Sequence, residues 1–459
     1  MVFLRLIMFD NSMSLMQLDK ANIAVNRFGY GARIGELKSA AIDPKKWITS
    51  QLQPINFDSS LPNSHKVFSE HVQYLKLKKE QKKTNKPVDK MVQGKARNIL
   101  HQLSADTIFQ AIQSEHSVSW RLLDFFSNHF SVSAKGRLMV GLSATLEREA
   151  IAPHLLGNFE DMLLAVEQHP AMLIYLNNEK SFGPNSRVAR KRKVGLNENL
   201  AREILELHTL GVNGNYQQSD VLALAKGITG WSVKNLKKES GSGFIFREHT
   251  HEPGTQTLLG KKYGQKGEAQ GKQMLKDLAT HPSTAKYVCF KLAHHFVSNS
   301  PEKSLTDKME STWLQTNGNI KAVMTTLFEA DEAWLSTYQK FKTPREFVIS
   351  TVRAVAPKKV RDKFLLNALN SLGQTPFNAG SPAGYSDEEG DWLGASALMA
   401  RVDWASMISS YKKNINVEKM IATSLGESIS EHSYQLAMRA ESRQVSNVLW
   451  LMSPEFQRR

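Results

Sequence analysis

Apolar residues return at helical spacing over most of this chain. Segments 97–113, 119–130, 159–178, 198–210, 219–229, 271–280, 283–297, 344–355 and 393–410 each carry such a stripe. Strand-like alternation is confined to GFIFREH (243–249) and TLLG (257–260), enough for one hairpin. A chain of 459 residues patterned this way is expected to be mostly α, a large multi-helix globular protein. At most one short β-hairpin is expected, near 243–260.

Capping chemistry places several helix ends. Thr343 can cap the helix that follows, with Pro344 in its first turn and Glu346 completing a capping box. Asn197 can cap NENLAREILELHTLG, and Gly211 suits the left-handed position that ends it. A faint repeat relates 162–176 (MLLAVEQHPAMLIYL) to 274–288 (MLKDLATHPSTAKYV). Each reads as a helix, a His-Pro corner and a second helix, a recurring corner and not a solenoid. The stretch 360–392 has no periodicity and reads as a long packed loop or lid carrying Phe377, Tyr385 and Trp392.

The net charge of +15 belongs mainly to two segments. Residues 76–97 hold nine Lys/Arg against Glu80 and Asp89, and 187–193 (RVARKRK) hold five with no acid. Both read as solvated loops or frayed helix ends on a nearly balanced body. An anionic partner could use either, but neither has the interleaved aromatics of a base-stacking platform, so nucleic acid is not the expected partner. No stretch reaches the roughly 18 apolar residues of a membrane span, so no integral membrane contact is expected. The start, MVFLRLIMFDNSMSLMQLDK, lacks a basic leader and a cleavage site. A cytoplasmic protein is expected on that ground, or a periplasmic or secreted one if the true start is missing. The single cysteine, Cys289, lies between apolar neighbours and reads as a buried thiol; it excludes an internal disulfide.

Three clusters could carry chemistry. In 197–209 (NENLAREILELHT), Asn199, Arg202, Glu203 and Glu206 lie opposite an apolar face, with His208 at its edge. Arg202, four residues from both Glu198 and Glu206, can bridge the two. In 244–254 (FIFREHTHEPG), His249 and His251 are two apart and followed by Glu252, a spacing that suits a divalent metal if further ligands converge. In 120–130 (WRLLDFFSNHF), Asn128 and His129 close an aromatic helix and can cap or bond the next segment. No P-loop, dinucleotide fingerprint or nucleophile elbow occurs.

Taken in order, these segments resemble the bacterial Domain of Unknown Function 1800 family. The resemblance runs from NRFGYGAR (26–33) through FFSNHFSVS (125–133), EREAIAPHLLGNFEDML (147–163), HPAMLIYLNN (169–178) and NENLAREILELHTLGVNGNYQQSDV (197–221). It continues through AKGITGWSV (225–233), FIFREHTHEPGTQTLLG (244–260), HPSTAKYVCFKLAHHFVS (281–298) and KTPREFVISTVRAV (342–355) to GQTPF (373–377) and WLGASALMARVDW (392–404). It implies a single helical domain over 20–410, with a basic insert at 76–97 and a connector at 179–196. An extension at 1–19 and a helical segment at 411–459 flank it. It also implies a bacterial protein, frequently exported and often encoded beside another exported family, whose product is a candidate partner. Two positions depart from the family pattern: Asn177-Asn178 replaces Asp-Asn, and His251-Glu252 replaces His-Asp.

Two functions fit. The first is a binding or scaffold protein whose ligand the sequence does not name. The alternative is a hydrolase- or transferase-like enzyme with a polar pocket on the 197–209 helix. There Glu203 or Glu206 would be acid or base, Arg202 with Asn199 would orient substrate, and His129 and His208 would move protons. A metal at His249, His251 and Glu252 would assist.

Overall fold

The helix after Thr343 begins where its capping box places it, whereas the one after Asn197 starts a residue late, with Glu198 at its N-cap and Asn197 Oδ1 accepting the Asn199 N–H at 2.9 Å. The computed structural model describes residues 15–84, 90–234, 243–335, 340–357, 359–411 and 416–459. The first half holds α1 (Leu15–Ile23), α2 (Glu36–Ile42), α3 (Pro44–Ser50), α4 (Ser64–Thr84), α5 (Lys90–Gln113) and α6 (Ser117–His129). Then follow α7 (Arg137–Leu142), α8 (Phe159–Glu167), α9 (Pro170–Tyr175), α10 (Asn199–Glu203) and α11 (Gln218–Gly227). The second half holds α12 (Glu268–Ala279), α13 (Pro282–Phe296), α14 (Lys303–Gln315), α15 (Ile320–Glu329), α16 (Pro344–Val355), α17 (Asp362–Ser371) and α18 (Ala395–Ser410). The chain closes with α19 (Val417–Ser424), α20 (Glu431–Met438), α21 (Arg443–Leu451) and α22 (Pro454–Gln457). The protein is mostly α. Among the described residues, no helix is long and apolar enough to cross a membrane.

The two His-Pro corners share one physical device. His169 Nδ1 accepts the Ala171 N–H at 3.1 Å, and His281 Nδ1 accepts the Ser283 N–H at 3.1 Å. Each imidazole caps a helix whose first turn is pre-set by proline. The Thr343 box also forms: the Thr343 N–H donates to Glu346 Oε2 at 2.9 Å, and the Thr343 hydroxyl accepts the Glu346 N–H. Gly211 takes the left-handed conformation (φ 81°), and a Cβ there would lie 2.7 Å from the Tyr287 ring.

Two antiparallel ribbons replace the single hairpin. β1 (Trp231–Val233) pairs with β2 (Phe244–Phe246), and β3 (Gln256–Leu258) pairs with β4 (Lys261–Tyr263). The partners of 244–246 and 256–258 are three-residue strands, too short to show alternation. The β3–β4 turn places both Leu259 (φ 50°) and Gly260 (φ 77°) at positive φ, the tight-hairpin geometry that Asn-Gly usually signals.

One hydrophobic core runs from Ile23 to Phe456, and a small satellite around Leu18, Leu37 and Ala41 sits beside it. The core is pinned by buried arginines that satisfy backbone carbonyls. Arg353 Nη1 donates to Ala111, Ile112 and Ser114 oxygens at 3.0–3.2 Å, tying α16 to the C-terminal end of α5. Arg401 donates to the Lys342 carbonyl at 2.6 Å, and Arg27 to that of Ala333 at 2.7 Å. The basic run 76–97 is the end of α4 and the start of α5, with 85–89 outside the described residues; so are 1–14 of the extension and 412–415.

Candidate functional site

A cleft with several charged side chains in its walls opens beside α6, at a place none of the three sequence clusters marks as a whole. It has room for water over ≈ 100 Å³, enough for several waters or a small polar group. Its wall is built by α6, the π-helical turn Glu147–Ile151, the end of α13, the start of α16 and the 374–387 loop.

Each wall contributes a charged group. Asp124 of α6 is gripped by Arg345, with Nε at 2.7 Å and Nη2 at 2.6 Å, and also accepts the Tyr30 hydroxyl. Burial pushes the Asp124 carboxyl up to about 6, against the pull of Arg345. Glu147 accepts the hydroxyls of Thr107 (2.6 Å) and Ser127 (3.2 Å). Glu346, the capping carboxylate of α16, also pairs with Arg121 at 2.9 Å and Arg459 at 2.8 Å. Burial alone would raise it, yet those two guanidiniums hold it at about 2.

His295 and Asp387 complete the cleft. His295 Nδ1 lies 2.7 Å from Asp387 Oδ2, while its buried Nε2 has no hydrogen-bond partner among the described residues. Burial lowers the His295 pKa and Asp387 opposes that shift, so the neutral ring carries its proton on Nδ1. Asp387, buried beside His295 and Lys340, is held well below the usual carboxylate range despite its burial. A neutral imidazole held by a carboxylate on one nitrogen and unpartnered on the other, in the wall of a cleft, is an arrangement from which a general base can be built.

The 374–387 loop is fixed in place, as a packed crossover. Ala134 N–H donates to the Phe377 carbonyl at 2.7 Å, the Ser133 hydroxyl to that of Ala379 at 2.8 Å, and the Tyr385 hydroxyl to that of Thr375 at 2.7 Å.

The sequence-predicted residues fall in three places. Arg202 bridges Glu198 and Glu206, both at 3.3 Å, on a half-exposed surface, with Asn199 exposed at the helix start. Glu203 is half-buried beside them, its pKa raised by burial. His208 is buried instead, its Nδ1 2.8 Å from Glu167, and its backbone oxygen lies 3.1 Å from His129 Nε2. His129 Nδ1 is 3.2 Å from Lys291 Nζ. The structure thus brings His129 and His208 together in the core and leaves Asn199, Arg202 and Glu206 outside. The reason is local geometry: Arg202 sits on the wet face of α10, while the π-helical turn Ile204–His208 that continues it carries His208 into the core.

The proposed metal ligands turn to separate partners. His251 Nδ1 donates to the Thr229 carbonyl at 2.8 Å, Glu252 accepts both amides of Asn185 at 2.8 and 2.6 Å, and His249 is exposed. Among the described residues, no group of three or more His, Cys, Asp or Glu could hold a metal ion.

The comparisons with known proteins come down to one family. A family model described as "Protein of unknown function (DUF1800)" matches residues 23–458. The chain belongs to that family, over nearly its whole length. No curated protein and no solved structure matches it.

Proposed function

We propose that the cleft is the active site of a hydrolase-type acid–base enzyme acting on a small polar substrate. The observation that carries this reading is His295, held by Asp387 on one nitrogen and free on the other. His295 Nε2 takes a proton from a water as it attacks. Asp124, a carboxyl raised to about 6, returns a proton to the leaving group. Arg121 and Arg345 line the cleft too, each already paired with a carboxylate, Glu346 and Asp124, so their part is to position those groups. His129, His208 and Glu203 then support the helix packing behind the cleft, and Arg202, Asn199 and Glu206 its outer surface.

The test is a panel of chromogenic esters, phosphoesters, glycosides and peptide amides, assayed with wild type, His295→Ala and Asp124→Asn. We expect turnover of at least one class, falling by about 100-fold or more in both variants. Activity that survives both substitutions, or no turnover of any class, sinks the proposal. The second reading, a binding protein, rests on a different region, the exposed cations of 187–192.

A further inference from the structure

The basic connector 179–196 is held in place by backbone hydrogen bonds while its cations stay exposed to solvent. Gly183 N–H donates to the Thr250 carbonyl at 2.9 Å, Val188 N–H to that of His249 at 3.3 Å, and Phe182 N–H to that of Gly195 at 3.0 Å. Asn185 binds Glu252 through two hydrogen bonds. A Cβ on Gly183 would lie 2.5 Å from Glu252 backbone, so the contact requires glycine. Internal turns hold the rest: Arg190 N–H reaches Ser186 oxygen at 3.2 Å, and Lys191 N–H reaches Val188 oxygen at 3.0 Å.

This connector faces β1 and the residues after β2 across an open groove of ≈ 940 Å³. Arg187, Lys191, Arg192 and Arg247 line it together with His249. Glu179 is the one acid among the described lining residues, and it lies 3.4 Å from Lys180. Arg247 is fixed by Ser232 (3.4 Å) and by the Val233 carbonyl (3.2 Å). Arg187, Lys191 and Arg192 are exposed and, among the described residues, are paired with no carboxylate.

We propose that this groove binds a small ligand carrying two or more phosphates. The guanidiniums of Arg187 and Arg192 suit bidentate oxyanion recognition. Phosphate, at about −1.5 to −2 per group near neutral pH, matches the exposed cations Arg187, Lys191 and Arg192 better than carboxylate does. Among the described lining residues no aromatic is exposed: Trp231 is fully buried and Phe182 half-buried, a poor platform for stacking the bases of a single strand.

Calorimetric titration of the full chain with tripolyphosphate, and separately with a sugar bisphosphate, tests this. Binding is expected to weaken at least tenfold in the Arg187→Ala/Arg192→Ala double variant, whose circular dichroism should match wild type. Tighter binding of the bisphosphate marks a phosphorylated metabolite as the source; tighter binding of tripolyphosphate marks a free oligophosphate. His295→Ala should leave binding unchanged, which separates this inference from the active-site reading. Four results overturn it: no binding of either probe at about 1 mM, binding indifferent to the double variant, binding abolished by Lys78→Ala/Lys82→Ala on α4, or a single-stranded oligonucleotide bound more tightly with the same sensitivity.

Discussion

Asn128 grips the backbone of Tyr385 with both ends of its amide. Its Nδ2 donates to the Tyr385 carbonyl at 2.9 Å, and its Oδ1 accepts the Tyr385 N–H at 2.7 Å. The two residues are 257 positions apart, yet this pairing decides where Asp387 stands, two residues further on, and hence whether His295 has a partner. Gly384 makes the approach possible. Its φ is +84°, and a Cβ there would lie 2.6 Å from the Asn128 carbonyl oxygen.

Asn128→Ala is therefore expected to cost about 2 kcal/mol, two hydrogen bonds of roughly 1 kcal/mol each. Gly384→Ala adds a backbone clash and a left-handed alanine, and should free the 374–387 loop. Urea denaturation measures the first. Limited proteolysis measures the second, with new cleavage expected inside the loop; an uncut Gly384→Ala variant would contradict the geometry.

Glu346 ties three features together: the cap of α16, Arg121 and Arg459. Its carboxyl is held at about 2, below the ordinary 4.5. A depressed carboxyl contributes stability fully present above about pH 4.5 and lost as pH falls through about 2. Glu346→Gln removes that contribution and leaves two buried guanidiniums short of a counter-charge, at a cost of about 3–5 kcal/mol. Thermal denaturation from pH 7 to 2 should show the wild type converging on the variant in that acid window. Parallel curves would show that another group governs the acid transition.

How much of this was legible in the sequence depends on range. The helices, the Thr343 box and the Gly211 stop follow from local rules, because caps and periodicity act within a few residues. Asn128 reads locally as a capping side chain and 360–392 as one long loop or lid, but the first third of that stretch is α17 (Asp362–Ser371), whose apolar Phe364, Leu365, Ala368 and Leu369 are too few to stand out beside the Gly- and Pro-rich run that follows. His295 is hidden: in YVCFKLAHHF nothing local separates it from Lys291 or His294, and its partner lies 92 positions away. Asp124 is hidden in the same way, 221 positions from Arg345. Conversely the dense Glu/Arg pattern of 197–209 is conspicuous because surface ion pairs form at i,i+4 spacing. Long-range pairing leaves no spacing to read, and the basic connector hid its order because its bonds run through backbone.

The helix that drew most notice should divide sharply under mutation. Arg202 is 39% exposed, so Arg202→Ala is expected to cost no more than about 0.5 kcal/mol per lost pair. His208 and Glu167 are fully buried against each other, and His208→Ala leaves an unpaired carboxylate in the core. A loss of about 3–5 kcal/mol is expected there. Chemical denaturation of the two variants side by side is the measurement. Equal effects would mean that the outer pairs are far stronger than exposed ones usually are.

The sharpest test of the cleft is the pH response of His295, which needs no substrate. Burial lowers its pKa and the Asp387 carboxylate pulls it back up. Asp387→Asn removes the opposing charge, so the imidazole should titrate at a still lower pH, followed by its Cε1 proton in NMR. Where turnover is measurable, the neutral ring is the active form, so activity falls on the acid side as the ring protonates. In the variant that limb moves to lower pH, while kcat drops because the ring loses its orienting bond. Asp124 sets the opposite limb, since a proton donor raised to about 6 empties as pH rises through that value. Asp124→Asn should abolish this limb and leave the His295 titration in place. If Asp387→Asn raises the His295 pKa or leaves it unmoved, the carboxylate is not what orients and charges the ring, and the assignment of His295 as base falls with it.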